Sequence, residues 1–147
     1  MIRVAVAVPQ DLVPVDRGRM RQVARAVLEG EGIQEAEVSL AFVDNPTIHQ
    51  LNKRFLEHDE PTDVLSFPLG EGKKLAGELV IGAEVAREQA ASRGHDVQAE
   101  LALYVIHGLL HLCGHDDTTS TAVKEMRRRE RHYLEELGLP DIAPEEE

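Results

Sequence analysis

Ile2, Val4, Val6 and Val8 sit at every second position, a period that predicts a strand over 2–8. The period then changes. Met20, Val23, Ala24, Val27 and Leu28 share one face at helical spacing, so a helix is expected over 17–29, with Asp16 placed to cap it and Gly30 and Gly32 to stop it. A second strand is read over 38–43. Asp44-Asn45-Pro46 then makes a turn and a helix start, proline being tolerated in the first turn, and a short helix follows over 47–55. Residues 57–63 form a polar loop, 64–67 a brief strand closed by Pro68, 70–74 a surface turn, and 78–81 another strand. Helices are expected over 84–93, ended by Gly94, over 98–113, ended by Gly114, and over 119–137. Four strands and about five helices in this order predict one α/β (α+β) domain. The 98–113 helix carries apolar side chains around most of its surface and is expected to be central and buried. The domain is expected over residues 1–140, and 141–147, which follows Pro140 and contains Pro144, as an acidic solvated C-terminal tail.

Composition narrows the function classes. With 147 residues, 42% hydrophobic and 29% charged, the chain reads as one globular domain. No apolar run approaches the ~18 residues of a membrane span, and the N-terminus lacks the apolar core of a secretory signal. One cysteine excludes an intrachain disulfide framework. A cytoplasmic protein with no membrane partner is expected. The net charge of −11 argues against indiscriminate nucleic-acid binding, and no DNA partner is expected. The balance is uneven, however: five of the 16 basic residues lie between Lys124 and Arg131.

The segment that carries chemistry is His107-Gly-Leu-Leu-His111-Leu-Cys-Gly114-His115-Asp116-Asp117. Histidines at i and i+4 lie about 40° apart around a helix and roughly 6 Å apart along it, so both imidazoles can reach one ion. Gly114 ends the helix and turns the chain back, so that a ligand three residues later can complete the set. The pattern His-x3-His-x2-Gly-x2-Asp is close to three-ligand zinc sites of the metzincin type. Three protein ligands leave a position open for water, as catalytic zinc requires. The competing reading is of two core histidines satisfied by the backbone; the i, i+4 pair followed by glycine and acidic or His residues favours the metal. Zinc proteases place Glu directly after the first histidine, whereas here that position is Gly108, so peptidase chemistry is disfavoured. Gly108 shares a stripe with Tyr104, His107 and His111, and is expected to open room beside the metal.

His107-Gly-x-Leu-His111-Leu-x-Gly114, together with Leu51-Asn52-x-x-Phe55, Asp59-x-Pro61-Thr62-Asp63-Val64-Leu65-Ser66-Phe67-Pro68 and Gly77-Glu78-Leu79-Val80-Ile81, resembles the bacterial YbeY-type endoribonuclease family over most of the chain. The resemblance implies a zinc-dependent, single-strand-specific endoribonuclease, a hydrolase of phosphodiester bonds. Such an enzyme matures the 3′ end of small-subunit rRNA and takes part in ribosome quality control. The resemblance also implies an α/β fold in which a central, roughly four-stranded mixed sheet packs with about five helices, one of them a buried metal-bearing helix. It implies one Zn2+ per chain, held by His107 and His111, which are catalytic through that metal. Single-stranded rRNA and the small ribosomal subunit are the implied partners. Two positions depart from the family pattern. Where most members have a third histidine this chain has Asp117, a competent zinc ligand, with His115 as the fallback where the family commonly has Tyr. Where members have Arg after the aromatic residue of the Leu-Asn motif, this chain has Leu56. Arg54 is the nearby substitute, although two residues on a helix rotate a side chain by about 200°.

Lys124, Arg127, Arg128 and Arg131 fall on one side of the last helix and are read either as an RNA-tracking stripe or as a solvated face paired with Glu125, Glu130, Glu135 and Glu136. Lys53, Arg54, Lys73 and Lys74 are further phosphate contacts on the first reading. Asp116, Ser66 and Glu78 are either supporting or proton-transfer groups, or a loop cap, a strand-end serine and a surface glutamate. Cys113 is expected in the core, and His49, His58, His95 and His132 at the surface. Leu56 favours a second reading, a ribosome-assembly RNA-binding protein whose metal is structural and whose catalysis is weak or lost; a third reading is a metal-dependent hydrolase of another substrate, its peptidase version disfavoured by Gly108. Water and the RNA 2′-hydroxyl both stay open as the attacking group.

Overall fold

The computed structural model describes residues 1–70 and 74–144. Its elements are β1 (Ile2–Ala7), α1 (Arg17–Gly30), β2 (Ala36–Val43), α2 (Asn45–Leu56), β3 (Val64–Pro68), β4 (Leu75–Gly82), α3 (Ala83–Arg93), α4 (Val97–Leu112) and α5 (Ser120–Glu136). Each element read from the apolar period is present. The caps follow from local chemistry: Asp16, Asp44, Asp96 and Thr119 accept hydrogen bonds from the backbone N–H three residues on, satisfying donors that a helix start leaves open. Lys73 and part of the expected 70–74 turn lie outside the described residues.

The sheet order is β1-β2-β4-β3, with β1, β2 and β4 parallel and β3 antiparallel to β4. β2 and β4 start earlier than their apolar runs because they pair with each other from Ala36↔Leu75 onward. Backbone pairing extends a strand past the residues whose side chains announce it. Both central strands are covered on two faces. Val38, Leu40, Phe42, Leu79 and Ile81 enter the main core, which α1, α3, α4 and α5 complete. Val43, Val80 and Leu65 turn the other way and meet Ile48 of α2.

α4 is the middle of the helical layer and touches β3, β4, α1, α3 and α5. Its approach to the sheet depends on Gly108. A Cβ there would lie 3.0 Å from Leu79 and Val64 side-chain carbons, so this glycine makes room for strands. That corrects the expectation that it opens space beside His107 and His111: the room it leaves is taken by Leu79 of β4 and Val64 of β3. The tail is also corrected in part. Ile142 is buried and Ala143 packs on the core, because an apolar pair just after Pro140 finds the exposed edge of the main cluster. Residues 145–147 lie outside the described part.

Candidate metal centre and cleft

α4 presents His107 and His111 one turn apart, and the chain then reverses at Gly114, whose φ of +102° is open to glycine and strained for other residues. The reversal brings Asp117 back over the helix end. The two Nε2 atoms lie 3.1 Å apart, and Asp117 Oδ2 stands 4.0 Å from His107 Nε2 and 3.9 Å from His111 Nε2. Donors about 2.0–2.2 Å from a tetrahedral ion are roughly 3.3 Å from one another. The histidine pair meets that spacing, and the carboxylate reaches it by closing a few tenths of an ångström. Two imidazoles and a carboxylate can hold one metal ion. Burial above all, and then the neighbouring His107, hold His111 below the ordinary histidine pKa, against the pull of Asp117 and Asp116. Its neutral ring keeps a lone pair for an ion.

Behind His107 stands Glu130 of α5, 1% exposed, whose Oε2 accepts from Nδ1 at 2.7 Å. A carboxylate only accepts, so the proton sits on Nδ1 and Nε2 is left as the donor toward an ion. The other Glu130 oxygen accepts from Arg127. Reading Glu130 as one of the acids on a solvated face missed this. The signal was available: Glu130 lies four residues after Met126 and three before Tyr133, inside the apolar phase of α5.

His115 does not join the other three. Its Nε2 donates to Glu31 at 2.7 Å, and the same buried carboxylate takes the Tyr133 hydroxyl and Arg129 Nη1. Asp116 accepts from Thr118 as a local loop cap, and the Ser66 hydroxyl donates to the Gly108 carbonyl at 3.2 Å. Glu78 is half-buried on β4, opposite Phe67. Cys113 packs against the core at the end of α4, and burial pushes its thiol up to about 11. His95 is corrected from a surface residue: its Nδ1 donates at 2.8 Å to Glu100, which is fully buried. The carboxylate sits in the first turn of α4 and draws the preceding loop over itself.

Two cavities meet at His107. One of about 510 Å³ is lined by Thr62, Asp63, Gln89, Arg93, Tyr104 and Arg127, together with His107, Asp117 and Glu130. The other, about 500 Å³, is an apolar slot formed by Leu56, Val64, Leu65, Pro68 and Leu112, with Ser66 and both histidines. Arg54 lines neither; its guanidinium lies 5.3 Å from the Phe55 ring centroid. Lys53 is exposed, 3.8 Å from Asp59. The four-residue basic stripe divides. At about 100° per residue, Arg127 falls some 20° from Leu134, at the border of the buried face. It therefore turns into the cavity, whereas Lys124, Arg128 and Arg131 share an outer groove with Glu125.

Comparison with known proteins adds to this geometry. Residues 7–138 match the family model described as endoribonuclease YbeY. Similar curated proteins carry the same description. One from Pelotomaculum thermopropionicum is 44% identical over 131 residues, 83% of this chain and 86% of its own length. One from Carboxydothermus hydrogenoformans is 42% identical over 135 residues, 88% of this chain and 94% of that protein. The solution structure of a Thermotoga maritima protein aligns with a TM-score of 0.64 at 29% identity, covering 93% of this chain and 89% of the other.

Proposed function

The chain belongs to the YbeY endoribonuclease family, and from that premise we propose that it cuts single-stranded RNA internally at a zinc ion held by His107, His111 and Asp117. The reading extends to rRNA maturation at the small-subunit 3′ end, to ribosome quality control with the small subunit as partner, and to the cytoplasm, with neither DNA nor membrane as a partner. The convergence of two imidazole nitrogens and one carboxylate oxygen at the meeting point of two cavities is the observation that carries it. Among the described residues no helix is long and apolar enough to cross a membrane.

The ion, when bound, supplies Lewis acidity toward a phosphate oxygen and acidifies a coordinated water. The rest is the work of the chain. Glu130 holds the proton on His107 Nδ1 and fixes the ring, so Nε2 keeps its aim without reorganisation. Gly114 and the Glu31–His115 bond set the loop from which Asp117 reaches back. Arg127, tied to Glu130 at the cavity wall, places positive charge beside the phosphate that would sit there. The Ser66 hydroxyl, given to the Gly108 carbonyl, lines the slot rather than serving as a nucleophile.

The deciding experiment combines metal analysis and cleavage of a single-stranded RNA for wild type, His111→Ala, Asp117→Ala and His115→Ala. Near one zinc per chain is expected in wild type and His115→Ala, and a loss in Asp117→Ala and His111→Ala. Cleavage should vanish in a folded His111→Ala protein. Undiminished cleavage in that variant, or in chelator-treated wild type, overturns the proposal.

A further inference from the structure

The two cavities beside His107 differ in character, and the difference divides the work of holding an RNA strand. The slot that carries Leu56 is apolar and has no cation in its lining. The larger cavity is polar and has Arg93 and Arg127 in its wall. Arg127 gives one nitrogen to Glu130, which leaves other N–H donors of a guanidinium that has five. Arg93 ends α3, is exposed, and among the described residues makes no hydrogen bond or ion pair. Gln89, one turn earlier on the same helix, lines the cavity with it. Three carboxylates of the lining (Asp63, Asp117 and Glu130) face two guanidiniums, one negative charge in excess. A divalent ion on Asp117 reverses that to one positive charge in excess. On a chain whose net charge is −11, such a local reversal is what an RNA strand needs to approach at all.

We propose that the Arg93–Arg127 cavity is a phosphate subsite. It holds the backbone phosphate next to the one presented to the metal, while a base of the same single strand lies in the apolar slot on the other side of His107. The proposal rests on the functional reading above and adds to it the direction in which the strand crosses the site: from the α2–β3 side, over α4, to the α3–α5 side. It also makes metal and strand cooperative ligands, since each supplies charge that the other needs and the coupling is reciprocal.

The test is binding, read apart from cleavage. A 2′-O-methyl RNA oligonucleotide, its integrity checked on a gel, is titrated by fluorescence anisotropy at several salt concentrations. Zinc-loaded wild type is compared with Arg93→Gln and with Arg87→Gln, an exposed arginine of the same helix paired to Glu84 outside the cavity. Wild type should bind several-fold more tightly with zinc than without. Arg93→Gln, with unchanged zinc content and circular dichroism, should bind several-fold more weakly than wild type, and its log K–log salt slope should fall by about 0.7, one phosphate contact on a single strand. Arg87→Gln should match wild type. Equal affinity and slope for Arg93→Gln, in a protein that still binds zinc and cuts RNA, overturns the subsite and leaves the functional reading standing. An equal loss in Arg87→Gln also overturns it, since the effect would then be general charge. A wild type that holds no zinc and cuts no RNA is a different failure, that of the functional reading itself, and zinc content identifies it.

Discussion

At the scale of single residues, the most consequential side chain of the site is a carboxylate that stands behind the converging donors rather than among them. Glu130 is almost fully buried, and its two oxygens are divided between His107 and Arg127. Such a group orients a ligand and keeps its tautomer, and losing it typically weakens metal binding roughly 10–100-fold. Glu130→Gln should therefore fold, keep the shape of the pair, and lose zinc affinity by about that factor in competition with a chelating dye; unaltered affinity would make Glu130 a packing residue only. The metal-reaching pair His107 and His111 was legible in the sequence because a helix fixes i, i+4 geometry without help from the rest of the fold. Asp117 was legible through the glycine before it, which announces a reversal. Glu130 requires α5 to lie against α4, a long-range fact that the spacing His-x3-His does not contain.

Elements meet at the places where glycines let backbones or rings approach. A Cβ on Gly30 would lie 2.5 Å from the Tyr133 ring and hydroxyl, which are buried between α1 and α5 and bound to Glu31. Alanine is the better helix former by about 1 kcal/mol, so a helix considered alone would gain. Overpacking a filled site costs about 1–3 kcal/mol, and an approach of 2.5 Å at the last residue of the helix puts Gly30 at the costly end, above that gain. Gly30→Ala should thus lower the urea midpoint, and a stabilised variant would show that the Tyr133 ring moves aside freely. The sequence pattern marks Gly30 as a helix stop; in the fold it is the last helical residue, kept small by the Tyr133 ring of α5. Periodicity placed α1 and α5 individually and could not show that they touch.

For the whole molecule, Glu31 links three segments: the end of α1 where it sits, the loop carrying His115, and Arg129 with Tyr133 on α5. Burial pushes its pKa upward, but hydrogen bonds from Tyr133 and His115 and the Arg129 charge outweigh that and bring it below its ordinary 4.5. A lowered carboxylate pKa means stability present above the unfolded value and lost as pH falls through the folded one. Glu31→Gln should be clearly less stable than wild type at neutral pH, and the gap should narrow as pH drops below about 4.5, in paired urea melts. A gap independent of pH would assign Glu31 a role of shape alone. The same carboxylate takes His115 away from His107 and His111, so the choice of Asp117 as the third converging group is made by α1 and α5, far from the motif in sequence.

By itself the sequence determined the elements and the two histidines with their returning acid, because each depends on local period, capping chemistry or a glycine turn; the mixed direction of the sheet depends instead on which strands pair. The family resemblance was legible for the same reason: its motifs are contiguous runs. Only the tertiary structure decided which carboxylate stands behind His107, where His115 goes, that Gly108 faces the strands, and that Arg127 leaves its stripe for the cavity. These outcomes are set by which helix faces are pressed together, and burial then fixes which polar groups must pair, since an unpartnered one inside the core costs more than any surface arrangement.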